Sequence, residues 1–189
     1  MKKRILLLLV IPFFILIFSL NSFADASPPK QKQTILGLYI TALEAFTRWH
    51  TDPGKVKIVD VRTPCEYIFI GHAPMATNIP LRFLKADVDT KTMKPMMPIN
   101  ENFVAEIKKK FKETDTLMVM CRSGGRSAAA VNKLAEAGFK NVYNNTDGFE
   151  GDKLNLPESY HHGKRVVNGW KNSGAPWTYS LDPKLIYLH

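Results

Sequence analysis

The feature that most constrains the fold is an uninterrupted apolar run, Leu117 to Met120, which leads directly into Cys121 and a glycine-containing loop. Consecutive apolar residues leave no strand face for water, which is typical of a strand buried on both faces of a parallel sheet. The segment 126–137 then has apolar residues at helical spacing and ends before Gly138. The sequence therefore predicts a strand, a loop and a helix in succession.

Short strands and helices alternate along the rest of the chain. Thr41 and Glu44 form a capping box that predicts a helix start, and Asn100 is expected to cap a later helix. Such alternation indicates an α/β fold with a mainly parallel sheet flanked by helices. We predict strands at 56–61, 77–80, 117–120 and 141–145, and helices from 42 to the turn at 52–54, at 64–70, after 100 and at 126–137.

The first 24 residues have the order of a secretory signal peptide. A basic head, Met1–Arg4, precedes the largely apolar stretch Ile5–Leu20, and small residues follow. We therefore expect a cleaved signal peptide over 1–24, with an uncleaved anchor as the alternative, and a Pro-, Lys- and Gln-rich tether over 25–34. The mature protein would be periplasmic or secreted, and no later run reaches the roughly 18 apolar residues of a membrane span.

The strongest chemical signal is the loop that runs from Cys121 to Ser127. Ligands of open α/β sheets bind at the carboxyl ends of the strands, and Cys121 lies at such an end. Gly124 and Gly125 allow successive N–H groups to form an anion cradle, and Arg122 and Arg126 add positive charge. Such a setting favours the reactive thiolate of cysteine. The alternative is a buried structural cysteine beside a tight turn.

Two separated blocks of this sequence resemble the rhodanese family of sulfurtransferases in its single-domain form. The first runs from Asp60 to Tyr67 and continues through Gly71-His72 to residues 78–80. The second is Cys121–Ser127, followed by the helix and by residues 143–148. The resemblance implies a five-stranded, mainly parallel sheet with helices on both faces and the active loop after the fourth strand.

The resemblance also implies site residues and chemistry. Cys121 would be catalytic, cycling between thiol and persulfide, while Asp60, Arg62 and Glu66 would support the loops structurally and His72 would be a packed turn residue. An anionic donor such as thiosulfate would supply sulfur to a thiol, cyanide or sulfite acceptor, with a partner protein as a further acceptor. No cofactor, metal or nucleic acid is expected. The expected donor-binding residues are Arg122, Ser123, Gly124, Gly125, Arg126 and Ser127.

The sequence departs from the family pattern near its carboxyl end. The family usually closes quickly from the last strand to a tryptophan, but here an insertion at about 149–168 separates Gly148 from Trp170. We expect a single domain over 35–180 and a tail over 181–189. The insertion is interpreted as a surface elaboration, with a lid or a docking element as the alternative, and its histidine pair is not expected to bind metal.

Three other activities are alternatives to a sulfurtransferase. A non-catalytic persulfide carrier for a periplasmic partner needs the same cysteine and stays open. A thiol oxidoreductase would use a Cys65–Cys121 disulfide, but the chain has no Cys-x-x-Cys motif. Rhodanese-like phosphatases and arsenate reductases place five residues between cysteine and arginine, whereas four separate Cys121 from Arg126 and residue 127 is Ser. Phosphatase chemistry is therefore not expected.

Overall fold

A computed structural model of the chain describes residues 27–188. The expected signal peptide, 1–24, and the first residues of the expected tether lie outside the described residues. Between residues 27 and 188, no helix has the length and apolar character needed to cross a membrane.

The strands form one five-stranded sheet and one small hairpin. Their bounds are β1 Tyr39–Ile40, β2 Val56–Asp60, β3 Thr77–Asn78, β4 Val88–Asp89, β5 Lys94–Pro95, β6 Thr116–Met120 and β7 Val142–Asn145. The main sheet is parallel, in the order β1-β7-β6-β2-β3, and β4 pairs antiparallel with β5. The predicted parallel sheet of five strands is confirmed.

The helices cover both faces of this sheet, as predicted. They are α1 Ala42–Thr51, α2 Pro64–Phe69, α3 Phe103–Lys110 and α4 Gly125–Glu136, with short 3-10 helices at Lys30–Lys32 and Trp170–Asn172. Thr41 caps α1 through the predicted capping box with Glu44. Thr63 caps α2 in the same way, with Glu66 as its partner.

Strand β6 shows why the apolar run is continuous. Leu117 and Val119 belong to the core that contains α3 and α4, whereas Met118 and Met120 belong to the core that contains α1 and α2. Successive strand residues point to opposite faces, so a strand covered on both sides must be apolar throughout. Cys121 follows directly and lies in the α3/α4 core with 1% exposure.

Some expectations about individual elements were wrong. Asn100 does not cap α3, because the N-cap is Asn102. The side chain of Asn100 instead donates to the carbonyl of Pro80 and accepts from the N–H of Asn102, so it joins two loops. The sequence also gave no sign of β1 or of the β4–β5 hairpin, whose two-residue strands are too short for a periodic pattern.

Both ends of the described chain pack against the domain. Residues 27–34, part of the expected tether, include a 3-10 helix in which Lys32 is only 7% exposed. The N–H of Asn78, on the edge strand β3, donates to the carbonyl of Leu185 in the expected tail. Ile186 is also buried. These segments therefore extend the folded unit beyond 35–180.

A buried ion pair joins the ends of β2 and its following loop. Asp60 and Arg62 are fully buried, and the Arg62 guanidinium donates to both carboxylate oxygens at 2.7–3.0 Å. The same guanidinium donates to the carbonyl of Gly71 and lies 4.0 Å from the ring centre of Phe149. The amide of Asn78 donates to the carbonyls of both ion-pair residues. These contacts fix the sheet edge next to Cys121.

Asp60→Asn should destabilise the fold strongly, because it leaves the Arg62 cation buried without a counter-charge. We expect a loss of roughly 3–5 kcal/mol in the free energy of unfolding, measured by urea denaturation. Glu136→Gln, the same carboxylate-to-amide change at an exposed position of α4, should change it by less than about 0.5 kcal/mol. A cost below about 1 kcal/mol for Asp60→Asn would contradict this account of the pair.

Candidate active site

Cys121 lies where β6 ends, with its backbone held by the segment after β7. Its carbonyl accepts a hydrogen bond from the N–H of Phe149 at 2.7 Å. The hydroxyl of Ser127, on the first turn of α4, lies 3.5 Å from Cys121 Sγ and 3.0 Å from the carbonyl oxygen of Gly124. The thiol is thus adjacent to the helix N-terminus, as the sequence predicts.

Neighbouring elements hold the carbonyl groups of the loop. The Arg122 carbonyl accepts from the N–H groups of Glu150 and Gly151, at 2.9 and 3.2 Å. The Gly124 carbonyl accepts from the side-chain amide of Asn144, on the buried strand β7, at 3.2 Å. These bonds fix the orientation of the loop peptides.

The N–H groups of the same loop are left without protein acceptors. Among residues 27–188, none accepts a hydrogen bond from the backbone N–H groups of residues 122–127. The first N–H groups of a helix have no acceptor inside it, and here the preceding loop adds more. Six successive donors beside one thiol form a cradle that suits an anion.

Gly124 is required by this loop geometry. Its φ is +93°, in the left-handed region that favours glycine. A Cβ at this position would lie only 2.9 Å from Cδ of Lys32 and would also collide with the carbonyl of Thr146. A side chain here would therefore displace either the loop or the segment that covers it.

Arg126 forms a bidentate ion pair with Glu66 that sequence reasoning did not anticipate. The two side chains join α4 to α2 through N–O distances of 2.6 and 2.7 Å. Burial opposes ionisation of Glu66, but the hydrogen bonds and charge of Arg126 outweigh it and lower the pKa of Glu66 to about 2. The signal in the sequence was the Thr63–Glu66 capping box, which directs Glu66 toward the start of α2.

The insertion and the N-terminal segment both touch the loop. Lys32 donates to both carboxylate oxygens of Asp152 at 2.7 and 2.9 Å, and its backbone carbonyl accepts from Asn144. The guanidinium of Arg165 donates to the carbonyl of Gly151. These contacts also escaped sequence analysis, since the partners of Lys32 lie more than 100 positions away and the insertion has no periodic pattern that would link Arg165 to Gly151.

The other predicted residues occupy different places. Asp60 and Arg62 lie under the loop as a buried pair, away from solvent. His72 is 1% exposed and stacks on Tyr67 with 3.8 Å between ring centres, so it is a packed residue. Cys65 is exposed on α2, and neither it nor Cys121 forms a disulfide.

The described part of the chain offers no cluster of three or more His, Cys, Asp or Glu side chains arranged to hold a metal ion. His161 and His162 are exposed in the insertion.

Glu66→Gln should destabilise the protein in a pH-dependent manner. Because the folded-state pKa is about 2 and the ordinary value is 4.5, the stabilisation is complete above pH 4.5 and is lost as the pH falls toward 2. Urea denaturation should show the wild type more stable than the variant by roughly 2–3 kcal/mol at pH 7, and by much less at pH 3. Glu158→Gln, at an exposed position, is the control. An equal difference at both pH values would contradict the assignment.

Comparisons with known proteins agree with this geometry. The family profile described as Rhodanese-like domain matches residues 45–154. Thiosulfate sulfurtransferase 16, chloroplastic, of Arabidopsis thaliana is 34% identical over 93 residues, which cover 49% of this chain and 70% of that protein. Uncharacterized protein RP600 of Rickettsia prowazekii is 30% identical over 122 residues, covering 65% and 82% respectively.

A solved structure shows a similar fold over three quarters of the chain. The crystal structure of Rv0390 from M. tuberculosis superposes with a TM-score of 0.58 and 28% identity, covering 75% of this chain and 96% of that one. The family profile spans more than half of the chain and includes the cysteine loop, the Asp60–Arg62 pair and Glu66. The chain therefore belongs to the rhodanese-like domain family.

Proposed function

We propose that the protein is a sulfurtransferase that carries sulfane sulfur on Cys121. The thiolate attacks the outer sulfur of a donor such as thiosulfate, forming an Sγ–S bond. The sulfur–sulfur bond of the donor breaks, and its electron pair leaves with sulfite. This is covalent catalysis in two steps, with the persulfide as the intermediate.

The observation that carries this proposal is the set of free N–H donors beside Cys121. A persulfide is an anion whose charge lies largely on its outer sulfur. Hydrogen bonds from N–H groups to an anion are stronger than those between neutral groups. The carbonyls of Arg122 and Gly124 are already held by other parts of the fold, so the N–H groups in the same peptide planes can supply such donors with little rearrangement.

The second step returns the enzyme to its starting state. An acceptor such as cyanide, sulfite or a thiolate attacks the outer sulfur, the Sγ–S bond breaks, and Cys121 leaves as the thiolate. In both steps the sulfur moves as a sulfane atom and the electron pair of the broken bond leaves with the departing group, so neither an external oxidant nor a reductant is required.

Arg126 supports this chemistry without binding the donor through its guanidinium group. Both carboxylate oxygens of Glu66 hold the Arg126 guanidinium, so its charge acts on Cys121 from a fixed position. Burial opposes ionisation of Arg126, but Glu66, and to a lesser degree the nearby Cys121, raise its pKa. We therefore propose that Arg126 acts through its charge, as expected from the sequence, and positions the loop, and that it does not make the expected direct contact with the donor.

A persulfide carrier that serves a partner protein is the second candidate. It needs the same cysteine, which is 1% exposed, and the same N–H donors as the enzyme. It shares the first step with the enzyme and differs only in turnover with free acceptors. An oxidoreductase is less well supported, since Cys65 is exposed while Cys121 is buried.

Cys121→Ser should abolish sulfur uptake while the fold survives, because a hydroxyl at neutral pH is a far weaker nucleophile than a thiolate. Intact-mass measurement should show a gain of one sulfur atom on the wild type after thiosulfate, which cyanide removes. Peptide mapping should place that sulfur on Cys121.

Cys65→Ser is the matched control, since it makes the same atom replacement at the other cysteine. It should retain sulfur uptake and turnover to within about threefold. Continuous thiocyanate formation indicates an enzyme, whereas one sulfur per chain without turnover indicates a carrier. Label on Cys65, or uptake by Cys121→Ser at the wild-type rate, would contradict the proposal.

We also propose that the chain is exported, on the grounds of its basic, apolar and small-residue N-terminal order. Expression in a bacterial host followed by N-terminal sequencing of the exported protein should give a mature chain that starts at Asp25 or Ser27. Retention of Met1 on the exported form would indicate an anchor instead.

A further inference from the structure

Arg165, in the insertion, places a positive charge near the active loop, in addition to that of Arg122 within the loop. One guanidinium nitrogen donates to the carbonyl of Gly151 at 2.5 Å, and the N–H of Gly151 donates to the carbonyl of Arg122 at 3.2 Å. A single residue, Gly151, thus links the Arg165 guanidinium to the backbone of the residue that follows Cys121.

A small hairpin within the insertion fixes the backbone of Arg165. Lys153 and Arg165 form an antiparallel bridge, and the N–H of Leu154 donates to the carbonyl of Lys164 at 2.9 Å. The side-chain amide of Asn172 donates to the carbonyl of Arg165 at 3.2 Å. The side chain is therefore presented from a defined position rather than from a free loop.

The charge of Arg165 has no carboxylate bound to it. Neither Arg165 nor Arg122 forms an ion pair with any residue between 27 and 188. Burial and the like charge of Arg122 lower the pKa of Arg165, while Glu150, Asp152 and Cys121 act in the opposite direction. The Asp152 carboxylate is already engaged in its own ion pair. Arg165 and Arg122, neither of which is in an ion pair among residues 27–188, are thus joined through Gly151 at the residue that follows Cys121.

We propose that Arg165 and Arg122 together bind the oxyanion head of the sulfur donor, which makes the insertion a donor-selecting element. This inference rests on the proposed sulfurtransferase function. Placing two like charges together is unfavourable until an anion lies between them. A guanidinium presents several donors in a planar fork that suits the oxygens of an oxyanion such as a sulfonate.

In the first step these two cations would bind the sulfonate head of the donor. While the outer sulfur of thiosulfate bonds to Cys121, the sulfonate head keeps its negative charge and departs as sulfite. Arg122 and Arg165 bind this head before and during bond cleavage. A donor without an oxyanion head lacks the oxygens that they bind, so the pair selects donors that carry such a head by binding energy.

The test compares Arg165→Gln with Lys164→Gln, which removes one positive charge from the adjacent residue of the same insertion. Lys164 lies 4.1 Å from the ring centre of Tyr160 and is exposed, so it serves as a control for overall charge. With thiosulfate and cyanide, Arg165→Gln should raise KM about tenfold, equivalent to about 1.4 kcal/mol, with kcat within about twofold. Lys164→Gln should leave KM within about twofold.

A donor without an oxyanion head distinguishes loss of donor binding by Arg165 from a general disturbance of the active site. Sulfur uptake from the persulfide of mercaptoethanol should proceed at the wild-type rate, within about twofold, in Arg165→Gln. The side chain of Arg122 makes no hydrogen bond to residues 27–188. Arg122→Gln should therefore raise the KM for thiosulfate without disturbing the hairpin. Arg165→Lys should restore part of the affinity, since it keeps the charge and loses the fork.

Calorimetric binding of thiosulfate to Cys121→Ser, with and without Arg165→Gln, provides a readout that needs no turnover. We expect about tenfold weaker binding when Arg165 is replaced, and little change when Lys164 is replaced. Equal binding by the Arg165 and Lys164 variants, or equal slowing of both donors, would overturn the assignment. If wild-type protein takes up no sulfur from either donor, the proposed function fails, while calorimetry still decides whether Arg165 binds the anion.

Discussion

The site depends on one constraint: hydrogen bonds from other parts of the fold hold the backbone carbonyl groups of Cys121, Arg122 and Gly124, which follow β6. Phe149 and the first residues of the insertion bind the carbonyls of Cys121 and Arg122, and Asn144 binds that of Gly124. Engagement of these three carbonyls fixes the peptide planes to which they belong, and among residues 27–188 none accepts a hydrogen bond from the six N–H groups of residues 122–127. An anion cradle built in this way needs little reorganisation when charge develops on the outer sulfur.

Two ion pairs support the cradle from different sides. The Asp60–Arg62 pair is fully buried under the loop and joins β2 to the contacts around Phe149. The Glu66–Arg126 pair is 19–20% exposed and ties α2 to the first turn of α4. Buried pairs of this kind are costly to break because the surviving charge stays desolvated. The loop is therefore held by interactions that tolerate little substitution.

The sequence predicted those features that have local causes. The apolar run before Cys121 follows from burial on two faces, and the capping box at Thr41 follows from the needs of a helix start. The short edge strand β1 and the packing of Lys32 have no local signature, because each depends on partners far along the chain. The contacts of Arg126 and Arg165 likewise emerged only from the fold. Sequence reasoning placed Arg126 at the donor, whereas the structure binds its guanidinium to Glu66.

The structure of the protein after treatment with thiosulfate tests the central claim most directly. Our account predicts one additional sulfur atom bonded to Cys121 Sγ, within hydrogen-bonding distance of N–H groups from residues 122–127, while the Glu66–Arg126 pair stays closed. An oxyanion held in the loop beside an unmodified Cys121, or an extra sulfur on Cys65, would contradict it.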